Sequence, residues 1–267
     1  MRVKKLMLLL PVVLLVASLQ LCRTTQEKVE GNDIEYIAHA GGAIDSCVYT
    51  NSLEALNLSV KKGYRFIELD FVFTSDSVLV AAHSWEKFNA ITGFGHWGDS
   101  VPTYDDFKSR KIYGRYTPIS AKEANIFLEK TPGIYLVTDK IPNPDILRTY
   151  FPGLKERMVV EAFSYSHYEQ LRSEGYFRVL YSCMADDLTS ALLKHMVLND
   201  AYPGYKIEWL ALHTTGFDDA MFKILDRYCD FSIALFTVDN LDSIPEGYRE
   251  RSKMIYTNFI LPGKYEP

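Results

Sequence analysis

The sequence predicts a closed (β/α)8 barrel of the α/β class, and three observations carry the prediction. Short apolar, β-branched runs alternate with helix-like runs along the chain from residue 33 to the end, and unbroken alternation of this kind implies a parallel sheet buried on both faces. Eight such strand-to-helix units can be counted, the number that closes a sheet on itself. Polar residues capable of chemistry stand at the C-terminal ends of the apolar runs, the face where barrels of this kind keep their sites. An open doubly wound sheet is the competing architecture. No Gly-x-Gly-x-x-Gly follows the first strand, which lowers its nucleotide-binding version.

Taken in order, IEYIAH (34–39) reads as the first strand. Residues 51–62 read as a helix, with apolar Leu53, Leu56, Leu58 and Val60 and a stop at Gly63. FIELDF (66–71) is the second strand, and VLVAAH (78–83) is a short extended excursion after the turn Ser75-Asp76-Ser77. The stretch 84–117 is rich in Gly, Tyr and Trp, shows no period, and is long for a connection, so it reads as an irregular functional insert. Ser120 opens a helix (SAKEANIFLEK) with Glu123 at the third position, a capping-box pattern. Strands follow at 133–139, 158–163, 177–183, 207–213, 231–238 and 254–259. Helices lie between them at 145–150, 167–175, 186–198, 218–228 and 240–248.

The N-terminus reads differently. Arg2, Lys4 and Lys5 precede a nearly unbroken apolar run, Leu6 to Ala17, which is short for a membrane span and has no charged stop beyond it. Residues 1–22 are therefore expected to be an export signal, with cleavage near Ala17 or Ser18, or a lipid anchor at Cys22 despite Leu21 where a small residue is usual. The location expected is the periplasm or cell surface. Residues 23–32 read as a short tether, and 33–267 as one barrel domain of a usual size for eight units. Cys47, Cys183 and Cys229 cannot all pair and show no Cys-x-x-Cys spacing, so at least one buried or half-buried thiol is expected. Composition is that of an ordinary globular protein, hydrophobic 48% and charged 24%, with net charge −5. No basic patch stands out, so nucleic acid is not an expected partner, and membrane contact is expected only through Cys22. A monomer is expected.

The candidate site lies between Ile37 and Trp85. His39 and His83 each end an apolar run, and Glu68-Leu69-Asp70 ends another. Strand alternation puts Glu68 and Asp70 on one side and Leu69 on the other. Two carboxylates so placed repel unless a proton or cation lies between them. All-oxygen ligation suits a hard divalent cation, Mg²⁺ or Ca²⁺, and Asp139 or Glu161 offers a third carboxylate. A cation flanked by two histidines fits attack on a phosphodiester: one histidine takes a proton from the nucleophile, the other protonates the leaving oxygen, and the cation neutralises the non-bridging oxygens. Taken singly, a His or a Glu-x-Asp at a strand end has an ordinary structural use; within one span these residues point to a site. His213 alone reads as structural.

At these residues the chain resembles the glycerophosphodiester phosphodiesterase family, which shares its barrel with phosphatidylinositol-specific phospholipases and the spider-venom phospholipases D. The family's H-R-G, E-N, E-x-D and H-D appear as His39-Ala40-Gly41, Thr50-Asn51, Glu68-Leu69-Asp70 and His83-Ser84. VVEAFS (159–164), LFTVDN (235–240) and IYTNFILP (255–262) are similar to its later motifs. The resemblance implies a barrel of this phosphodiesterase type, His39 and His83 as the acid/base pair, Glu68 and Asp70 as metal ligands, and Asn51 at the phosphate. The family's third ligand precedes a lysine by two residues. Aligning on Lys140 places Thr138 there, and Asp139 is taken as the ligand by a one-residue shift. Lys140, Glu161, Trp85 and Phe236 join Asn51 as expected substrate- or phosphate-binding residues. Three departures stand out. Ala40 replaces the arginine that would clamp a phosphate in two places, Ser84 replaces an acid, and Thr50 replaces another; Lys140 is the nearest replacement cation.

The expected activity is hydrolysis of a glycerophosphodiester or a related lipid or envelope phosphodiester, with cyclic-phosphate formation as a mechanistic variant. A barrel that binds a phosphate-bearing or glycan ligand without cleaving it is the alternative that Ala40, Thr50 and Ser84 motivate. Sugar hydrolysis by paired carboxylates is a third reading, which the two histidines fit poorly.

Overall fold

The computed structural model describes residues 34–95, 98–183, 207–214 and 231–263. The expected export segment and tether, the helices at 186–198 and 218–228, Trp97 and Cys229 lie outside them. Eight parallel strands among the described residues form a closed ring: β1 (Glu35–Ala38), β2 (Phe66–Phe73), β4 (Tyr135–Asp139), β5 (Met158–Ala162), β6 (Val179–Cys183), β7 (Trp209–His213), β8 (Ser232–Phe236) and β9 (Ser252–Thr257). Each pairs with its neighbour, and β1 closes the ring by pairing with both β9 and β2. The ninth strand, β3 (Leu79–Ala81), runs antiparallel along the end of β2, Phe71 opposite Ala81.

The strands are buried on both faces because two separate cores form around them. Ile37, Phe66, Val137, Val159, Leu180, Ala211, Ala234 and Met254 fill the barrel interior, about one residue from each strand. The alternate residues, among them Ala38, Ile67, Leu136, Val160, Leu212, Leu235 and Ile255, belong to the larger core shared with the helices. Those helices are α1 (Leu53–Lys61), α4 (Ala121–Lys130), α5 (Pro144–Tyr150), α6 (Tyr165–Ser173) and α7 (Glu246–Arg251), with α2 (Trp85–Ile91) and α3 (Tyr104–Ser109) in the insert. Their starts are chemically marked. Ser52, Ser84, Thr103, Ser120, Asn143 and Ser164 each accept a hydrogen bond from a backbone N–H of the first turn, and Ser120 with Glu123 completes the capping box.

The extended excursion at 78–83 contains the strand β3. Two expectations are corrected. The insert is ordered around its own apolar cluster of Val80, Ala82, Phe88, Phe107, Ile112 and Tyr116. Phe88 and Phe107 stack at 4.7 Å, and buried Arg110 lies 4.0 Å over the Phe94 ring while donating to Asn89 and Asp106. Two short helices with an arginine pinned between aromatic rings give no long period to read in sequence. The helix expected over 240–248 is a 3-10 turn (Leu241–Ser243) followed by α7, because Pro245 interrupts the backbone N–H series. Cys47 is a free, half-buried thiol. Among the described residues no helix is long and apolar enough to cross a membrane.

Candidate active site

Alternation along the strands builds the site. Two residues beyond the apolar layer of the barrel interior come His39, Glu68, Asp139, Glu161, Ser182, His213, Phe236 and Tyr256, with Asp70 and Asn258 two further on. The C-terminal mouth is therefore polar and acidic above an apolar floor. Thr138 has the opposite parity and is fully buried, whereas Asp139 lies level with Asp70 in the β2–β4 pairing.

The turn after β1 is shaped by its glycines. His39–Gly41 form one 3-10 turn, with Ala40 in the left-handed region at φ 49° and Gly41 and Gly42 at 85° and 89°. A side chain on Gly42 would collide with the Ser59 hydroxyl, which donates to the Gly41 carbonyl at 2.7 Å. This geometry turns the Ala40 N–H onto Glu68 Oε2 at 2.6 Å. The Ala40 methyl is itself fully buried, so position 40 offers the mouth a backbone donor and no cation.

Glu68, Asp70 and Asp139 bring one carboxylate oxygen each within 4.8 Å of one another. Burial, then the neighbouring Asp70 and Asp139 charges, push the Glu68 carboxyl well above the usual range, against the opposing Ala40 N–H. Burial and Asp70 push Asp139 up in the same way. Asp70 goes the other way: burial would raise it, but hydrogen bonds and charge from His83 and Lys140 hold it well below the usual range. Lys140 bonds Asp70 and, at 2.6 Å, Asp139. Burial works against its charge, and the two carboxylates outweigh burial and raise its pKa. Asp139 Oδ1 is buried with no hydrogen-bond partner among the described residues. Three converging carboxylates, one with an orphaned oxygen, fit a hard divalent cation.

The two histidines are held from opposite sides. His83 Nδ1 lies 2.9 Å from Asp70 Oδ1, which leaves Nε2 for proton transfer. His39 Nδ1 lies 3.1 Å from Asn258 Oδ1. The Asn258 amide cannot turn over, because its Nδ2 donates to Asp239 Oδ2 at 2.9 Å and its backbone N–H to Asp239 Oδ1 at 2.7 Å. With Oδ1 so fixed, His39 carries its proton on Nδ1 and presents a bare Nε2. Burial lowers the His39 pKa below 6.5, more than the Asp70 charge and the Asn258 bond raise it. Asp239→Asn should free the amide to rotate and scramble the His39 tautomer. The expected result is a fall in kcat of about 10–100-fold with KM little changed, the scale seen when a partner that orients a histidine is removed. Steady-state kinetics of a folded Asp239→Asn protein check this.

The expected binding residues are placed unevenly. Asn51 was expected at the phosphate, but it is buried, with Nδ2 donating to Asp70 Oδ2 at 3.0 Å and Oδ1 accepting the Asp70 N–H at 3.1 Å. It holds Asp70. Glu161 is also buried, accepting from the Tyr256 hydroxyl at 2.5 Å, and burial raises its pKa to about 7. It is thus an interior carboxyl bound to its own barrel. The Trp85 ring packs edge-on against Phe88 and Phe107 of the insert cluster. Phe236 points inward at the end of β8, edge-on to His213 and Tyr256. Sequence reading missed Asp239 and Asn258, although both stand just beyond strand ends. It also missed Tyr49, whose ring contacts both His39 (4.8 Å) and His83 (4.9 Å).

Residues 40–157 match the model of the glycerophosphoryl diester phosphodiesterase family. A comparison with curated protein sequences gives no match. Solved structures share the fold at low identity. A phosphodiesterase from Oleispira antarctica, in complex with the product sn-glycerol-3-phosphate, is 15% identical with a TM-score of 0.59, covering 84% of this chain and 92% of that one. A glycerophosphodiester phosphodiesterase from Agrobacterium tumefaciens is 15% identical with a TM-score of 0.58, covering 84% and 96%. A glycerophosphoryl diester phosphodiesterase from Parabacteroides distasonis is 15% identical with a TM-score of 0.59, covering 86% and 85%. The matched segment begins one residue after His39 and holds His83 and all three carboxylates, and the barrel continues beyond it: over these residues the chain is similar to the glycerophosphoryl diester phosphodiesterase family, whose barrel it shares.

Proposed function

We propose that this chain hydrolyses a glycerophosphodiester, with His39 as general base and His83 as general acid. The observation that carries the reading is the pair of oppositely anchored imidazoles over one acidic cluster. His39 Nε2 takes a proton from water, whose oxygen attacks phosphorus. The bond from phosphorus to the leaving alcohol breaks, and the proton on His83 Nε2 passes to the leaving oxygen. Asn258 and Asp239 keep the His39 lone pair aimed at the mouth. Asn51 and Lys140 keep Asp70 placed to hold His83. Glu68, Asp70 and Asp139 would hold a divalent cation, Mg²⁺ or Ca²⁺, which when bound supplies charge to the non-bridging phosphate oxygens. If the substrate's own hydroxyl takes the place of water, the same two histidines yield a cyclic phosphate.

A chromogenic phosphodiester tests the reading. Turnover should require added Mg²⁺ or Ca²⁺ and fall to background with a chelator, then return when the cation is restored. Equal turnover with and without chelator would remove the cation from the account.

A further inference from the structure

We propose that Tyr49 and Lys87 form the wall that selects the alcohol leaving the diester, favouring uncharged or anionic alcohols over those bearing a quaternary ammonium; this rests on the phosphodiesterase reading above. Tyr49 stands between the two histidines, its ring centroid 4.8 Å from that of His39 and 4.9 Å from that of His83, both edge-on. Its backbone is left-handed at φ 60°. A non-glycine residue rarely adopts that conformation, and such outliers gather where a side chain must be held at a site. Neither residue is needed for the proton transfers assigned to His39 and His83.

Lys87 lies in the first turn of α2, whose start Ser84 caps by accepting the Lys87 N–H at 3.1 Å. That cap follows His83 directly and turns the helix so that the Lys87 ammonium stands 4.8 Å over the Tyr49 ring. Lys87 is half-buried as a residue, and its ammonium makes no ion pair among the described residues. It is thus a cation at the mouth that no carboxylate of the described residues neutralises, beside a position 40 that supplies none.

The placement decides which end of the substrate the wall meets. Tyr49 touches both histidines, so Lys87 sets the side: its helix starts at the Ser84 cap directly after His83, which gives its proton to the leaving oxygen. The group attached to that oxygen therefore extends past Tyr49 and Lys87. An exposed aromatic face is the usual receptor for a quaternary ammonium. Here the chain's own ammonium covers that face, so a trimethylammonium group would meet a like charge instead of the ring. A glycerol, a polyol or an anionic alcohol meets a hydrogen-bond donor and an attractive charge.

The test is the ratio of kcat/KM for glycerophosphoglycerol to that for glycerophosphocholine, measured on the wild-type chain and on Lys87→Met. A ratio cancels any general loss of activity or folding. The wild type should prefer the glycerol diester by about tenfold, a modest difference suited to a part-solvated charge. Lys87→Met keeps the apolar stem, uncovers the ring, and should bring the ratio to near one through a lower KM for the choline diester. Adding Tyr49→Leu should then remove the choline gain. A wild type that prefers the choline diester, or a ratio that Lys87→Met leaves unchanged, would overturn the proposal. If neither diester is cleaved, the phosphodiesterase reading fails, and equilibrium binding of the same two diesters to the same two proteins judges the wall. The same shift in ratio would support it; equal binding or none would overturn it.

Discussion

His39→Ala should lower kcat against a glycerophosphodiester by about 10³-fold or more, the upper part of the range for losing a positioned general base. The fold should survive the change. His39 lies in the turn beyond β1, and the core residues beside it, Ile37 and Ala38, keep their contacts in the two cores. Its side-chain hydrogen bond to Asn258 leaves behind an amide still tied to Asp239. Circular dichroism and thermal unfolding should thus match the wild type while turnover is lost. The wild-type pH profile carries the same claim. The base must be unprotonated, so the rate is lost as pH falls through the His39 pKa. Burial sets that pKa below 6.5, and the acid limb of kcat/KM should therefore lie at lower pH than for an ordinary histidine. An acid limb above pH 6.5, or a His39→Ala protein with wild-type kcat, would remove His39 from the mechanism.

Asp70→Asn should be about as damaging, for a different reason. Asp70 is where the site's bonds converge: it accepts from His83, from Lys140 and from Asn51, while its backbone N–H donates to Asn51. An amide keeps the shape but removes the charge. One of its ends becomes a donor, which conflicts with the Asn51 Nδ2 donor or turns an N–H toward His83 Nδ1 and inverts that ring's tautomer. Lys140 loses one of its two carboxylate partners. A buried charge network broken at one member is costly, typically about 3–5 kcal/mol, so a fall in thermal stability should accompany the fall in rate. The expected outcome is a loss of about 10³-fold in kcat/KM, together with a higher cation concentration for half-maximal activity. Full activity at the wild-type cation concentration would mean that Asp70 neither ligates nor orients. Measuring cation dependence alongside the melting curve separates loss of the site from loss of the fold.

Much of the barrel was legible because its rules are local. Strand alternation in FIELDF says that Glu68 and Asp70 share a side, and the same parity in YLVTD puts Asp139 with them and turns Thr138 away. That parity is a better guide than counting back from Lys140, because a strand's face alternates with every residue while a motif spacing tolerates slippage at the strand end. The insert was less legible. Phe88 and Phe107 are nineteen positions apart by number yet stack on each other, and no short-range pattern records such a contact. The His39 anchor was hidden for the same reason. Asn258 lies 219 residues along the chain from His39, and only closure of the ring between β1 and β9 brings them together. The motif around Asn51 points to the phosphate, but its left-handed backbone at φ 45° and its two bonds to Asp70 give it a supporting place instead.

The departures at Ala40, Thr50 and Ser84 also find local physical accounts. Ala40 is buried and contributes its N–H to Glu68. Thr50 is buried and accepts from the Ser52 hydroxyl at 3.1 Å, beside the start of α1. Ser84 caps α2 and so sets the direction of Lys87. None of the three removes a group that moves a proton in the proposed reaction. They change what surrounds the substrate.

The central claim is that this mouth cleaves phosphodiesters through His39 and His83 above a cation-holding carboxylate cluster. Phosphorus NMR of glycerophosphoglycerol incubated with the purified chain tests it most directly, run with Mg²⁺ or Ca²⁺, with chelator, and with His39→Ala. The account expects a phosphomonoester or cyclic phosphate to grow only with cation and only with His39 present. An unchanged diester signal in every sample, from a chain shown to be folded, would contradict it and leave a barrel that at most binds its ligand.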